Sequence, residues 1–92
     1  MPKKASRLLE EMRRSKSKWK RKDLEALYEG YGFIVESRAK HDKVWHPEYP
    51  QLYTFLPRHT KIAVYLVDTA VKLVDRLNQL RQQGEVSQDE QD

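Results

Sequence analysis

The sequence predicts an α+β domain with the element order α-β-β-β-α, in which the helices pack on one face of a three-stranded antiparallel sheet. Two segments with helical spacing of apolar residues flank three short runs rich in aromatic and β-branched residues. Because the three runs are consecutive and joined by short connections, an antiparallel meander is the simplest sheet they can form.

The first predicted helix is "KRKDLEALYEGYGF", residues 20–33. Its apolar residues recur at i, i+3, i+4 and i+7, the spacing of one buried helix face. They are Leu24, Leu27, Tyr28 and Tyr31. Gly30 and Gly32 follow closely and predict the end of the helix.

The three predicted strands are "FIVES", "KVWHP" and "LYTFLP". The third alternates Leu52, Thr54 and Leu56 on one face with Tyr53 and Phe55 on the other. The segment "HPEYPQ" between the second and third strands has two prolines and predicts a turn or irregular loop.

A long amphipathic helix is predicted from Thr60, a suitable N-cap residue, to Gly84. Its apolar face is an extended stripe along "KIAVYLVDTAVKLVDRLNQLRQQG". The members of the stripe are Ala63, Leu66, Val67, Ala70, Leu73, Val74, Leu77 and Leu80.

Composition narrows the possible functions. With 92 residues, 38% hydrophobic residues and a mean hydropathy of −0.93, the chain can build one domain with a small core, and a large buried catalytic cavity is not expected. The lack of cysteine excludes disulfide scaffolds, thiol catalysis and the usual zinc-finger ligand sets. Because there is neither a membrane-length apolar run nor an apolar signal core, we expect a cytoplasmic protein without a membrane partner.

Charge divides the chain into three parts. Residues 1–22 hold ten Lys and Arg against two Glu, a net charge of +8, residues 23–83 are neutral, and residues 84–92 carry −4. We therefore expect a basic N-terminal arm over residues 1–17 that could form a short helix, a domain over 18–83 and an acidic disordered tail over 84–92. The arm would attract a polyanion such as nucleic acid. The alternative is an ordinary solvated charged surface.

His41 is the first candidate for chemistry. It lies between the first two predicted strands, beside Arg38, Lys40, Asp42 and Lys43. An imidazole can take a proton from a ribose 2′-hydroxyl or give one to a leaving oxygen, while neighbouring cations hold the phosphate. The alternative is an exposed loop histidine without a chemical role.

His59 lies in "LPRHTK", where the third strand ends and the long helix begins. With Arg58 and Lys61 it flanks a helix N-terminus, where backbone N–H groups favour an anion. The alternative, which is compatible, is that His59 and Thr60 only end the strand and cap the helix.

The other candidates are weaker. His46 precedes Pro47 in the predicted turn, a setting typical of a packing or surface residue, and three histidines on separate loops are a poor metal site. Several aromatic side chains could stack on RNA bases, although hairpin or core packing is the more common use for Trp45 and Tyr53. These aromatic residues are Trp19, Trp45, Tyr49 and Tyr53.

The order of these features resembles the HicA family of bacterial toxins, small ribonucleases of toxin–antitoxin pairs. The resemblance covers about residues 7 to 81 and depends on the following segments in order. They are "LLEEMRRS", a tryptophan followed by "DLEALYEGYGF", a histidine after the first strand, "HP" at the hairpin tip and "LPRHTKIAVYLVDTAVKLVDRL".

The resemblance implies a fold like the double-stranded-RNA-binding domain, cleavage of messenger RNA and neutralisation by a HicB-type antitoxin. His41 matches the family's catalytic histidine, and Ala39 and Lys40 stand where the family has Gly-Ser or a similar small pair. His59 matches a family position that is often histidine, which implies a substrate or structural contact.

We favour a toxin that cleaves mRNA by metal-independent acid/base chemistry, with His41 as the catalytic group and no cofactor. The expected RNA-binding residues are Arg38, Lys40, Lys43, Arg58, His59 and Lys61. Two alternatives stay open. One is a catalytically silent RNA-binding module of the same fold, which the Ala39-Lys40 pair supports, and the other is a protein-interaction domain whose basic surface meets an acidic partner.

Overall fold

The chain forms three helices and one three-stranded antiparallel sheet. The computed structural model describes residues 3–58 and 61–91. The elements are α1 Lys3–Arg14, α2 Arg21–Gly30, β1 Ile34–Ser37, β2 His41–Trp45, β3 Tyr53–Pro57 and α3 Val64–Gln91. The predicted α+β class and antiparallel sheet are therefore confirmed.

The sheet has the strand order β1-β2-β3 and two different faces. Directly paired residues point to the same face, so Val44, opposite Val35 and Thr54, belongs to the inner face, which the helices cover. Val44 and Leu56 are fully buried there. We call the opposite side the outer face, and its residues are Ile34, Glu36, His41, Lys43, Trp45, Tyr53, Phe55 and Pro57.

Helix α2 forms as the sequence predicts. All four residues of its apolar stripe are buried in the core. Asp23 accepts a hydrogen bond from the Lys20 backbone N–H at 3.0 Å, which satisfies one donor at the helix start. At the other end Gly32 adopts a φ of 91°, and the Phe33 N–H bonds the Tyr28 carbonyl at 2.9 Å. A residue with a Cβ rarely adopts this conformation, which explains the glycine.

Helix α1 belongs to the core. Ala5, Leu9 and Met12 are buried against α2 and α3, so the part of the basic arm in this helix packs onto the domain. Leu8 is only half-buried, and Ala5 takes the inner position. A short helix is marginal without such docking, and the buried stripe supplies it.

Helix α3 differs from the prediction at both ends. It begins at Val64, and the predicted N-cap Thr60 lies outside the described residues. It continues past Gly84 to Gln91, where the sequence predicted a stop and a disordered tail. A glycine inside a helix costs only about 1 kcal/mol, and the flanking glutamines and Glu85 favour helix. No helix in the described part of the chain has the length and apolar character needed to cross a bilayer.

Candidate functional site

His41 is the first residue of β2, whereas the sequence placed it in the connection before the strand. Its backbone pairs with Pro57 of β3, and its exposed side chain belongs to the outer face. Among the described residues, its ring makes no side-chain hydrogen bond or ion pair. The sheet therefore fixes the His41 backbone and leaves the imidazole accessible.

The turn before His41 is formed by Arg38, Ala39 and Lys40. Lys18 is the one non-glycine residue with positive φ in the described part of the chain, so this turn contains no left-handed residue. No residue of this turn needs the backbone freedom of glycine. Ala39 and Lys40 therefore precede His41 without the strain that a positive φ imposes on a residue with a Cβ. Arg38 Nη2 donates to Glu36 Oε2 at 3.1 Å across the start of the turn.

Asp42, the residue after His41 in β2, connects this strand to α2 and to the residue that follows β3. This buried carboxylate accepts hydrogen bonds from Arg21 of α2 and from Arg58 Nε, the latter at 3.1 Å. The hydrogen bond from Arg21 and then that from Arg58 lower the pKa of Asp42. Arg58 also donates to the Arg38 carbonyl and, at 3.0 Å, to Ser37 Oγ. The guanidinium of Arg58 thus holds the end of β3 against the turn that precedes His41.

An open groove of about 880 Å³ lies between β3 and the beginning of α3. We call it the outer groove, and His41 lines it together with Phe55, Pro57, Lys61 and Tyr65. It is an open cleft rather than a closed cavity, in agreement with the small core expected from composition. A ligand in it would contact an imidazole, a cation and apolar walls.

Two aromatic rings project from β3 on the outer face. Tyr53 is 53% exposed and Phe55 is 52% exposed, and their ring centroids lie 6.1 Å apart in an edge-to-face arrangement. Lys43 Nζ lies 5.4 Å from the Tyr53 ring centroid. Trp45 packs beside Tyr53 in the adjacent strand and is half-buried. The sequence favoured core or hairpin packing for Tyr53, and the structure places its ring outside the core, beside its hairpin neighbours Lys43 and Phe55.

A second cleft, of about 670 Å³, gathers much of the positive charge and is called the basic cleft here. It is lined by Lys18, Trp19, Lys20, Arg21, Lys22, Glu25 and Lys61. Lys18 adopts a φ of 67°, which is uncommon for a residue with a side chain. An isolated backbone bridge joins Lys20 to Lys61, which lines the outer groove as well. The two clefts therefore adjoin at Lys61.

His46 has a structural role. Its ring is 1% exposed and lies edge-on to Phe33 with a centroid distance of 5.0 Å. Nδ1 accepts a hydrogen bond from the Glu48 N–H at 3.1 Å, so Nε2 carries the proton and donates to the Tyr31 carbonyl at 3.2 Å. Burial lowers the pKa of the imidazole. His46 is therefore a neutral core residue, as its predicted packing role implies.

The structure brings part of the predicted site together. His41 and Lys43 share the outer face, His41 and Lys61 share the outer groove, and Arg58 is engaged by Asp42. His59 lies outside the described residues. Within residues 3–58 and 61–91, no three His, Asp or Glu side chains are grouped as metal ligands would be.

Sequence reasoning missed two parts of the site, Phe55 and the Asp42 anchor. The alternation along β3 already placed Phe55 beside Tyr53. Once helices cover one sheet face, that alternation implies that both rings face outward. No comparable sequence signal marks the Asp42 contacts, because Arg21 and Arg58 are distant from it in the chain.

Comparison with known proteins assigns this chain to no family. No family model, curated protein or solved structure matches this chain.

Proposed function

We propose that this protein is the toxin of a toxin–antitoxin pair, an endoribonuclease of the HicA type that cleaves mRNA in the cytoplasm. The observation that carries the proposal is the position of His41. It is an exposed imidazole with no side-chain partner among the described residues, fixed by the sheet at the rim of a groove that also contains Lys61. The observed element order is compatible with a fold like the double-stranded-RNA-binding domain, which we include in the proposal.

The chemistry requires only the imidazole and the substrate. Neutral His41 takes the proton of a ribose 2′-hydroxyl, and the 2′-oxygen forms a bond to the adjacent phosphorus. The bond from phosphorus to the 5′-oxygen of the next nucleotide breaks, and that oxygen takes a proton from the imidazolium or from water. The products are a 2′,3′-cyclic phosphate and a 5′-hydroxyl. A histidine titrates close to neutral pH and is suited to both proton transfers.

Several cations can hold the substrate phosphates around His41. Arg38 and Lys40 lie in the turn before it, Lys43 lies two residues further along the outer face, and Lys61 lies in the groove. Arg58 contributes indirectly in this proposal, because its guanidinium holds the turn and Asp42. Affinity carried by phosphate contacts should fall as salt rises.

The proposed protein partner is a HicB-type antitoxin that covers the outer face. A site without a deep pocket is silenced most directly when a partner masks its catalytic group. Backbone amides of β2 and β3 should then become protected from hydrogen exchange when the antitoxin binds. Protection confined to the solvent side of α3 would contradict this binding mode.

Expression of the chain alone tests the proposed function. We expect it to arrest bacterial growth, and we expect His41→Ala to relieve the arrest at the same cellular level of folded protein. The effect of His41→Ala on growth is compared with that of His46→Gln, which changes a histidine of the core instead of the exposed one. Equal toxicity of His41→Ala and the wild-type chain would exclude His41 as the catalytic group.

A silent RNA-binding module is the second candidate, and the basic cleft is the observation that favours it. Exposed Lys18, Lys20 and Lys22 line this cleft beside Trp19, so RNA could bind there without contacting His41. RNA binding without cleavage, lost when these lysines are changed to glutamine, would support this candidate.

A further inference from the structure

We propose that the outer face is a binding platform for single-stranded RNA, on which bases stack against Tyr53 and Phe55 while the ribose and phosphate lie at His41 and Lys43. The inference rests on the proposed ribonuclease function and specifies its substrate as unpaired RNA. It adds a recognition surface to the catalytic group.

The exposure of the two rings is the first argument. Burial of a Tyr or Phe side chain is strongly favourable, yet both residues remain more than half exposed. The inner face needs neither residue, because Leu52 and Leu56 of the same segment fill the core. Tyr53 and Phe55 form an open aromatic surface that packing within the described chain does not explain.

The strand register supplies the second argument. Phe55 pairs with Lys43, and His41 lies two residues before Lys43 on the same face of β2. Diagonal neighbours of this kind lie about 7 to 8 Å apart, within reach of a single nucleotide. A base on Phe55 would therefore place its ribose close to the His41 imidazole.

Charge is the third argument. Lys43 at the centre of the outer face is a cation, and Glu36, the one acid of that face, is paired with Arg38 at 3.1 Å. An acidic protein segment could satisfy this charge as well, and RNA affinity that does not depend on the two rings would indicate such a partner. Stacked bases with adjacent phosphates use both features together.

Aromatic stacking also selects the form of the RNA. In an A-form duplex the bases are paired and stacked on one another, so their faces cannot contact a protein ring. Unpaired nucleotides can present their faces to aromatic side chains. The platform therefore predicts a preference for single-stranded RNA. This preference differs from that of the double-stranded-RNA-binding domain, which the proposed fold resembles.

Binding to oligouridine and to a blunt RNA duplex tests the inference in a His41→Ala background, which prevents cleavage. Tyr53→Leu and Phe55→Leu keep apolar bulk and lose the ring, so each should weaken oligouridine binding about fivefold or more. Tyr53→Phe and Phe55→Tyr keep the ring and should bind like the parent. Unchanged affinity of both leucine variants, or equal affinity for the duplex, would overturn the platform. A surface used only by a protein partner would give the first of these results.

Tryptophan fluorescence locates the bound strand. The chain has two tryptophans, Trp45 on the outer face and Trp19 in the basic cleft. In Trp19→Phe, oligouridine should change the emission of Trp45 beside Tyr53. In Trp45→Phe, the remaining Trp19 reports on the basic cleft. A response at Trp19 together with none at Trp45 would overturn the platform.

Cleavage assays distinguish a failure of this inference from a failure of the proposed function. If wild-type protein cleaves RNA, His41→Ala does not, and the leucine variants bind and cleave normally, the ribonuclease stands and the platform is overturned. If the leucine variants lose oligouridine binding but wild-type protein never cleaves, the platform stands without the ribonuclease. Absence of RNA binding by the wild-type chain at low salt overturns both.

Discussion

His41 is the first residue of β2 and is exposed, whereas His46 directly follows the last residue of the strand and has a buried ring. The His46 ring donates to the Tyr31 carbonyl and accepts from the Glu48 N–H, and it fits against Gly32, where an added Cβ would lie 3.1 Å from Nε2. His41 has no comparable side-chain contacts in the described part of the chain. Its accessibility to a substrate is what an acid or base requires.

The burial of His46 predicts a loss of stability in mild acid. Because its folded-state pKa lies below the unfolded value, the unfolded chain takes up the proton first as pH falls through about 6.5. The stability contributed by neutral His46 is therefore present above that pH and declines below it. Urea unfolding at pH 7.5 and 5.5 should show a lower free energy of unfolding at the lower pH.

Two variants isolate the contribution of His46 to this pH dependence. His46→Gln should show a smaller decrease in the free energy of unfolding between pH 7.5 and 5.5, whatever its stability at pH 7.5. His41→Gln, which changes an exposed ring, should retain the wild-type decrease. An identical decrease in His46→Gln and wild type would show that His46 does not titrate on unfolding.

At the scale of elements, the packing of α1 on α2 depends on the contact between Ala5 and Gly30. A methyl group added at Gly30 would overlap the Ala5 side chain. Gly30→Ala should therefore lower the free energy of unfolding by about 1 to 3 kcal/mol, since overpacking forces neighbouring groups to shift. Thermal or urea unfolding measures this loss.

The double variant Ala5→Gly/Gly30→Ala tests whether that contact is the cause. Ala5→Gly alone costs helix propensity and packing, but in the double variant it makes room for the new methyl group. We expect the two effects to be clearly less than additive, with a coupling of about 1 kcal/mol or more. Strict additivity would show that α1 does not dock through these residues.

The elements that sequence periodicity predicts well are those with a continuous apolar face. The α2 stripe, the alternation in β3 and the middle of α3 all agree with the structure, because burial of one face fixes both the element and its orientation. The docking of α1 and the passage of α3 through Gly84 were less predictable. Both depend on small free-energy differences that packing and flanking residues decide.

The residues of the candidate site were predictable only where they lie together in one short segment of the sequence. His41, Lys43 and the cations Arg38 and Lys40 are close in sequence, and an imidazole beside several cations is visible within that one segment. The outer groove, the Asp42 contacts and the junction of the two clefts at Lys61 join residues from distant parts of the chain. Such juxtapositions follow from the tertiary packing of separate elements and leave no local pattern.

At the scale of the whole molecule, the helices cover one face of the sheet and leave the other to the candidate site. The outer face carries His41 and the exposed rings, and the basic cleft adjoins the outer groove at Lys61, which is bridged to Lys20. The charge of +8 in residues 1–22 lies partly in this cleft. A strand of RNA could therefore contact both surfaces along one path.

Cleavage of an end-labelled mRNA by the purified chain in excess chelator tests the central claim most directly. Wild-type protein should give discrete fragments, and His41→Ala should be slower by about a hundredfold or more, the usual contribution of a general acid or base. Circular dichroism and urea unfolding should show that the variant is folded. Cleavage by folded His41→Ala at the wild-type rate would contradict the account.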